Sequence, residues 1–520
     1  MGVIERSFSR RLKWTTVFLL FSLAAMAQVA EPSESLEKIS KSGNTQFYRF
    51  YYPSKDAEGE DVVLSSLLVA WTTTNETDSI ESLHIYSHYT ITSDKECPTS
   101  DENSTDHLLF SRLVKSGYGI LGLNSSYNFI SRSVLIAPDY EGYGVSRERN
   151  HPYLSQRLTA QQVMDAVAYG MMLYQKLIDD NQALAFKSDW RSFSWGFSQG
   201  GAVALAVQRH IEENGLSDAL HFKGSICGDG PYDLLTTLRY YLNDDGTSYD
   251  ASTEHQQGMT TMPMVIPMII KGMLDTHPDM KTHPLEDYIS QQFLDTGIMD
   301  WLASKAYSTS DISKLWYDQL QYGLDAQVRH YSPSQMAELF YSPSKNTVWA
   351  RLDKLFTPRF YAYISNPDNF KAVPTAKGDA CQDAHRAMAE NSVAAGWEPQ
   401  HRIQFVHSRG DMVVPFGNYL AFRDTHPDDE NELYRIDDSI TSSDHGTVGT
   451  KFFTSLCVTG SYGDYFKWLD ESPDVTSIGE MVNSQWSTVN VWYDLSGRCL
   501  NGRPTAKGIY IYKGRKTAIK

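Results

Sequence analysis

Short apolar runs recur along the chain, and most are bounded by Gly, Pro, Asp or Ser. Runs of this length between turn residues are typical of buried β-strands. Between two of them, residues 159–177 repeat apolar positions at helical spacing. Strands that alternate with helices predict an α/β fold with a mostly parallel central sheet and helices on both faces. The predicted strands are residues 47–52, 62–71, 83–87, 134–137, 193–195, 224–227 and 403–407.

The predicted helix at 159–177 carries Val163, Val167 and Met171 on one face. Thr159 and Gln162 have the spacing of a capping box, in which two side chains satisfy free N–H groups at a helix start. The pattern therefore predicts that this helix begins at Thr159.

A Gly-x-Ser-x-Gly sequence, Gly196 to Gly200, stands between a strand-like run and the helix-like run 201–213. Such a serine can occupy the strained strand-to-helix turn known as a nucleophile elbow, whose glycines allow close backbone approach. The free N–H groups of the following helix would face a developing oxyanion. The pentapeptide also arises by chance, so Ser198 is a candidate catalytic nucleophile that needs partners.

Candidate partners follow in the chain order serine, acid, histidine, which this kind of elbow requires. Asp411 directly follows the predicted strand 403–407, and His445 lies 34 residues beyond it with Gly446 next to it. His426 is the other histidine after Asp411, but it comes only 15 residues later. The catalytic prediction is therefore Ser198, Asp411 and His445.

Other assignments stay open. Asp229 also ends a strand-like run and is a rival acid, whereas Asp444 adjoins the histidine and would point elsewhere. His84 and His88 lie in the predicted strand 83–87 or just after it, and are expected to be packed strand residues because no carboxylate or cysteine supports a metal site there.

The oxyanion hole needs two backbone N–H donors. One is expected from Gln199, the residue after the nucleophile. The other is expected from the loop that follows strand 83–87, at Tyr89, with Thr90 as the next choice.

Five blocks of the sequence stand out together: His88-Tyr89-Thr90, the loop from Ala137 to Gly144, Gly196 to Gly201, Gly410 to Pro415, and Asp444-His445-Gly446. In order and spacing they resemble the secretory lipase and esterase branch of the α/β-hydrolases. The similarity covers roughly residues 45–470 and implies ester hydrolysis under a helical lid, with Ser198, Asp411 and His445 as nucleophile, acid and base. Gln199-Gly200-Gly201 departs from the narrowest lipase pattern and leaves lipid preference open.

The excess length between strands 224–227 and 403–407, about residues 231–395, is helical in pattern and includes the Met- and Ile-rich run from Met259 to Ile270. A connection this long must carry its own structure. We expect a lid insertion that roofs an acyl pocket. The alternative is a helical subdomain that packs on itself and contacts no ligand.

The two ends of the chain differ from the middle. Four basic residues precede an apolar run that is followed by Ala25-Met26-Ala27, which predicts a secretory signal peptide at residues 1–27. Residues 476–520 end in alternating segments that turn at Asn501-Gly502 and predict a β-hairpin. This end resembles the last segment of the C-terminal sorting domains on proteins secreted by certain Gram-negative bacteria. The alternative is a hairpin docked on the catalytic domain, residues 28–475.

The predicted function is a secreted serine carboxylic-ester hydrolase, with a serine peptidase on the same fold or a catalytically silent binding protein as alternatives. Periplasmic or extracellular residence is expected, with the outer-membrane surface of a Gram-negative bacterium left open. Removal of residues 1–27 takes away four positive charges and one negative charge and moves the net charge from −17 to −20. Such a surface repels nucleic acid.

The expected partner is a small-molecule, polysaccharide or lipid ester, with no cofactor, no metal and no transmembrane span in the mature chain. The five cysteines fit an oxidising compartment but leave their pairing open, as the sequence leaves the oligomeric state and the particular ester.

Overall fold

The computed structural model describes most of the chain between residues 30 and 472, with some short C-terminal segments. The described ranges are 30–42, 45–71, 78–100, 132–242, 256–316, 331–341, 349–427, 432–442, 444–458, 463–472, 492–493, 499–500, 504–505, 507–512 and 515–519. The predicted signal peptide lies outside the described residues, as do parts of the predicted lid and hairpin.

Nine described strands form one twisted central sheet in the order β1-β2-β3-β5-β4-β6-β7-β10-β11. The first three strands and the β3–β5 pair are antiparallel, and every pair from β5 to β11 is parallel. The strands are β1 Glu37–Ser42, β2 Thr45–Lys55, β3 Asp61–Trp71, β4 Ile80–Ser87, β5 Ser133–Pro138, β6 Phe186–Phe197, β7 Phe222–Gly228, β10 Arg402–Val406 and β11 Tyr434–Asp437. The predicted mostly parallel sheet is confirmed.

Two shorter sheets lie outside the central one. β8 Met259–Thr260 pairs with β9 Ala350–Arg351. Near the C-terminus four strands form an antiparallel sheet in the order β13-β12-β14-β15. These strands are β12 Trp492–Tyr493, β13 Cys499–Leu500, β14 Gly508–Tyr512 and β15 Arg515–Ile519.

The α-helices flank the central sheet or lie between β7 and β10. They are α1 Gln156–Asp179, α2 Gln199–Glu213, α3 Ser217–Leu220, α4 Leu234–Leu242, α5 Val265–Thr276, α6 Gln291–Leu294, α7 Ile298–Ser304, α8 Thr309–Trp316, α9 Pro333–Phe340, α10 Leu352–Leu355, α11 Pro358–Ile364, α12 Ala380–Glu390, α13 Gly417–Thr425, α14 His445–Phe453 and α15 Gly463–Asp470. Short 3-10 turns occupy Asp94–Glu96, Gly144–Ser146, Met280–Thr282, Leu285–Asp287 and Pro367–Phe370, and a π-turn occupies Thr454–Val458.

Helix α1 begins three residues before the predicted start. Its N-cap is Ser155, and Thr159 lies inside the first turns, where its hydroxyl donates to Ser155 O at 3.1 Å. The predicted capping box at Thr159 and Gln162 is therefore wrong. A threonine can bond back to the carbonyl four residues earlier, so the same residue type fits a helix interior.

Alternation along β6 explains how both faces of the sheet are covered. Phe193, Trp195 and Phe197 belong to a buried cluster under α14 and α15. Ser194 points to the opposite face, under α2, and donates to Ala204 O at 3.3 Å. Successive side chains of a strand face opposite ways, so small residues on one face let α2 pack close while aromatic residues fill the other.

A second hydrophobic cluster is formed mainly by the part of the chain that connects β7 to β10, which contains helices α4 to α12. Its buried residues include Met264, Trp301, Trp316 and Phe360. It meets the sheet domain closely at Gly272, where a Cβ would lie 2.5 Å from Tyr153 O. This helical region therefore has a core of its own and rests directly on the segment before α1.

Candidate functional site

Ser198 occupies a strained turn between β6 and α2. Its backbone has φ 59° and ψ −126°, and its N–H donates to Gly228 O at 2.8 Å. A non-glycine residue at positive φ is uncommon and costs conformational energy. The turn closes because its glycines leave room: a Cβ on Gly196 would lie 2.3 Å from Gly200 O, and one on Gly201 would lie 2.3 Å from Gly228 O. The sequence pattern thus has a steric cause.

Ser198, His445 and Asp411 form one chain of hydrogen bonds. His445 Nε2 lies 2.9 Å from Ser198 Oγ, and His445 Nδ1 lies 2.5 Å from Asp411 Oδ2. His445 is the first residue of α14, which Asp444 caps by accepting the Thr447 N–H at 3.1 Å. The structure brings together the three side chains that the sequence analysis selected.

The loop that carries Asp411 is tightly held. Asp411 Oδ1 accepts the N–H groups of Val413 at 2.8 Å and Val414 at 3.1 Å, which leaves Oδ2 for His445. The Tyr241 hydroxyl, from α4, reaches Met412 O at 2.7 Å and Val413 O at 2.8 Å. A buried carboxylate needs such donors, and here they also fix the direction of its second oxygen.

The predicted oxyanion residues lie on both sides of the serine. Gln199 is the first residue of α2, where N–H groups are free of helix partners. The loop after β4 crosses this helix start, because a Cβ on Gly200 would lie 2.0 Å from Ser87 O and 2.8 Å from the His88 carbonyl carbon. Tyr89 and Thr90 line the same cavity as Ser198. The arrangement can therefore offer two backbone donors to one oxygen.

The rival residues have other partners. Asp229 is fully buried, accepts the Ser408 N–H at 2.9 Å and lies 3.2 Å from His407 Nε2. Burial, with the Asp411 charge as a second cause, raises the pKa of Asp229 well above its usual value. His426 contacts the carbonyl oxygens of Phe422 and Trp397 at 2.9 Å each.

His84 within β4 and His88 just after it are packed, as expected. His84 stacks on Phe193 with ring centroids 5.6 Å apart and contacts Ser82 Oγ at 3.0 Å. His88 stacks on Tyr140 at 3.9 Å. Among the described residues, no cluster of three or more His, Cys, Asp or Glu side chains is placed to hold a metal ion.

A cavity of about 720 Å³ opens above Ser198 and extends into the helical region. Most of its lining is apolar. Asp444 is the one carboxylate in the described lining, which contains no lysine or arginine. Representative lining residues are Tyr89, Phe197, Leu234, Leu238, Ile266, Ile269, Phe356, Phe360 and Met388. The volume is typical of a small-molecule site, and the lining suits an uncharged, largely apolar group.

The sequence analysis missed several residues that support the site. The His151 ring contacts Gln199 Nε2 at 2.8 Å and Glu141 O at 2.8 Å, and Tyr241 holds the loop that carries Asp411. The loop 137–144 was recognisable in the sequence as one of the five motif blocks. No sequence pattern predicts the contact of Tyr241 with Met412, which lies 171 positions away.

Comparison with solved structures shows that the chain has the α/β-hydrolase fold. The rice cell wall degrading esterase LipA of Xanthomonas oryzae is 20% identical, with 81% of this chain and 89% of that chain covered and a TM-score of 0.53. A ligand-bound form of the same esterase is 18% identical, with 84% and 95% covered and a TM-score of 0.54. A candidate hydrolase from Legionella pneumophila is 15% identical, with 83% and 91% covered and a TM-score of 0.53.

No protein-family model and no curated protein matches the chain. At sequence identities of 15–20%, this structural similarity shows the fold alone.

Three buried histidines of the site region predict how stability depends on pH. Burial lowers the pKa of His88 and His407 to about 4 and that of His151 to about 3. In the unfolded chain these groups bind protons below about pH 6.5. The unfolded state then holds more protons, so the free energy of unfolding should be highest above pH 6.5 and fall as the pH drops towards 4, by up to ~3 kcal/mol per histidine.

Urea unfolding between pH 7 and 4 measures this slope. In a His151→Gln variant the slope of the free energy of unfolding against pH should be smaller than in the wild type by the contribution of one proton, ~1.4 kcal/mol per pH unit. An unchanged slope in the variant would contradict the assignment of a neutral, buried His151.

Proposed function

We propose that the protein is a secreted serine carboxylic-ester hydrolase with Ser198 as nucleophile, His445 as base and Asp411 as acid partner. The hydrogen-bonded chain from Ser198 Oγ through His445 to Asp411, on a serine at φ 59°, carries this proposal. The same three roles recur on unrelated folds because the chemistry requires this geometry. The Xanthomonas relative is an esterase that degrades rice cell wall, which supports ester hydrolysis here.

In the proposed reaction, His445 Nε2 accepts the Ser198 proton while Oγ attacks the ester carbonyl. Asp411 keeps the Nδ1 proton in place and stabilises the imidazolium that forms. The N–H groups of Gln199 and Tyr89 would stabilise the tetrahedral oxyanion. His445 then protonates the leaving alcohol, and water attacks the acyl-enzyme by the same steps in reverse. These side chains, the two backbone N–H groups and water supply the whole reaction, so the proposal requires no cofactor or metal.

Single substitutions test the assignment. Ser198→Ala should abolish hydrolysis of an activated ester, with a loss on the order of 10⁴ to 10⁶ in kcat. Asp411→Asn should be severely impaired because the imidazole would take the wrong tautomer. Asp229→Asn is the matched control. It changes a second buried carboxyl group, which contacts the loop that carries Asp411 through the Ser408 N–H and has no hydrogen bond to His445 among the described contacts.

The measurement is kcat on a p-nitrophenyl ester for variants whose folding is checked by circular dichroism. Similar mild losses in Asp411→Asn and Asp229→Asn, or more than a hundredth of the wild-type rate in Ser198→Ala, would refute the assignment. Turnover of peptide amides with no ester activity would favour the peptidase alternative.

We further propose that the cavity holds the acyl group and that the helical region, residues 231–395, sets acyl-chain preference, with short to medium chains favoured over long-chain triacylglycerol. Ile266 and Met268 offer a matched pair, because each is 8% exposed on helix α5. Both belong to the buried cluster of the helical region, but only Ile266 of the two lines the cavity.

Ile266→Ala should shift the ratio of kcat/KM between octanoyl and acetyl esters by about tenfold, since a few methylenes in an apolar pocket are worth about 1–3 kcal/mol. Met268→Ala should leave the ratio near wild type while lowering stability. A ratio that stays at the wild-type value in both variants would mean that the region is structural. Strong activation on emulsified long-chain lipid would mean a true lipase.

We propose export through a signal peptide at residues 1–27, with the C-terminal sheet as a sorting segment. Among the described residues, no helix has the length and apolar character needed to cross a membrane. Expression of the full chain in a Gram-negative host, followed by fractionation and intact mass, tests export. A chain that begins at Gln28 in the periplasm or medium is expected. An uncleaved chain that stays in the cytoplasm would contradict the proposal.

A further inference from the structure

The peptide between His88 and Tyr89 lies directly against the start of α2. A Cβ on Gly200 would meet its carbonyl carbon at 2.8 Å. Its nitrogen belongs to Tyr89, which lines the cavity beside Ser198. The orientation of this one peptide therefore decides whether the Tyr89 N–H faces the reacting oxygen.

Tyr140 holds the other end of the same peptide. Its hydroxyl donates to His88 O at 3.3 Å, and the contact is buried. The peptide is trans, as are all the described peptide bonds. In a trans peptide the C=O and N–H point in opposite directions. A donor on His88 O therefore directs the Tyr89 N–H away from Tyr140.

Tyr140 itself is fixed from several sides. Its backbone has φ 68°, and its side chain is 1% exposed. Its ring stacks on the imidazole of His88 with centroids 3.9 Å apart and an interplanar angle of 28°. Burial also raises the pKa of Tyr140 above its usual value, so the hydroxyl keeps its proton and remains a donor. Strained residues of this kind persist where the surrounding contacts over-determine them.

The His88 ring fixes the next peptide. Its Nδ1 lies 2.6 Å from Tyr89 O, and its Nε2 lies 3.1 Å from Asp139 O. A neutral imidazole has one N–H, and the shorter contact places it on Nδ1. Tyr89 is thus held through the carbonyl groups on both of its sides, by Tyr140 and by His88.

We propose that Tyr140 is a positioning residue for ester hydrolysis, which acts through His88 O to hold the Tyr89 N–H as an oxyanion donor. This inference rests on the proposed function. Tyr140 is not among the described residues that line the cavity. Its effect should appear where charge develops on the substrate oxygen, in the transition state, and should be absent from ground-state binding.

Tyr140→Phe tests the proposal, with Tyr143→Phe as the matched control. Tyr143 belongs to the same loop, is also 1% exposed, and its hydroxyl donates to Ile91 O at 2.5 Å. Each variant removes one buried hydroxyl from a backbone carbonyl, and the Tyr140 hydroxyl also contacts the Ser87 side chain. Only Tyr140→Phe removes a hydroxyl that contacts the peptide between His88 and Tyr89.

Three quantities separate positioning from general damage. They are kcat, the Ki of a trifluoromethyl ketone, which forms a tetrahedral adduct with the serine, and the Ki of a non-hydrolysable ether analogue. Tyr140→Phe should lower kcat about tenfold or more, less than the 10²- to 10³-fold loss of an entire donor. The ketone should bind more weakly by a similar factor, with ether binding unchanged. Tyr143→Phe should stay near wild type in all three.

Equal effects of the two variants, or parallel weakening of ketone and ether binding, would overturn the role of Tyr140. Failure of the proposed function has a different signature, because Ser198→Ala would then remain active. An inactive Ser198→Ala together with a Tyr140→Phe that behaves like its control would refute this inference alone.

Discussion

The close backbone contact around the turn from Gly196 to Gly201 is the constraint on which the rest of the structure depends. Side-chain atoms at Gly196, Gly200 or Gly201 would lie 2.0–2.3 Å from carbonyl oxygens of the turn, β4 or β7. Without Cβ atoms, the chain can reverse sharply enough to hold Ser198 at φ 59° with its N–H on Gly228 O. The strain at one residue is offset by the many buried contacts of β6 and α2, which cannot rearrange independently.

Parallel strands then bring the other groups to the same edge of the sheet. β4, β6, β7 and β10 are neighbours, so the loops after them carry Tyr89, Ser198, Asp229 and Asp411 to one place. The two acids, Asp411 and Asp229, have different surroundings. Asp411 accepts two backbone N–H groups and faces His445. Asp229 sits deeper, where burial and the Asp411 charge raise its pKa. The proposed mechanism needs one carboxyl group beside the imidazole, and Asp411 is the one that contacts it.

The sequence predicted most of what depends on local pattern and chain order. The buried strands, the elbow and the order of Ser198, Asp411 and His445 follow from runs, glycines and motif spacing. Strand β11 was missed because it has only four residues, two of them charged, and all are half-buried. The start of α1 was misplaced because Ser155 and Thr159 are both plausible first-turn residues. Contacts such as Tyr241 with Met412, or Tyr140 with His88, join distant segments and depend on packing that no local pattern encodes.

The central claim is that Ser198 is an activated nucleophile, and labelling with an alkyl fluorophosphonate tests it most directly. Such a reagent forms a stable bond with a serine oxygen only where a base and oxyanion donors assist the attack. Intact mass should show one adduct per folded chain, and peptide mapping should place it on Ser198. The urea-unfolded protein should remain unlabelled. An adduct on a different residue, or a folded chain that does not react, would contradict the account.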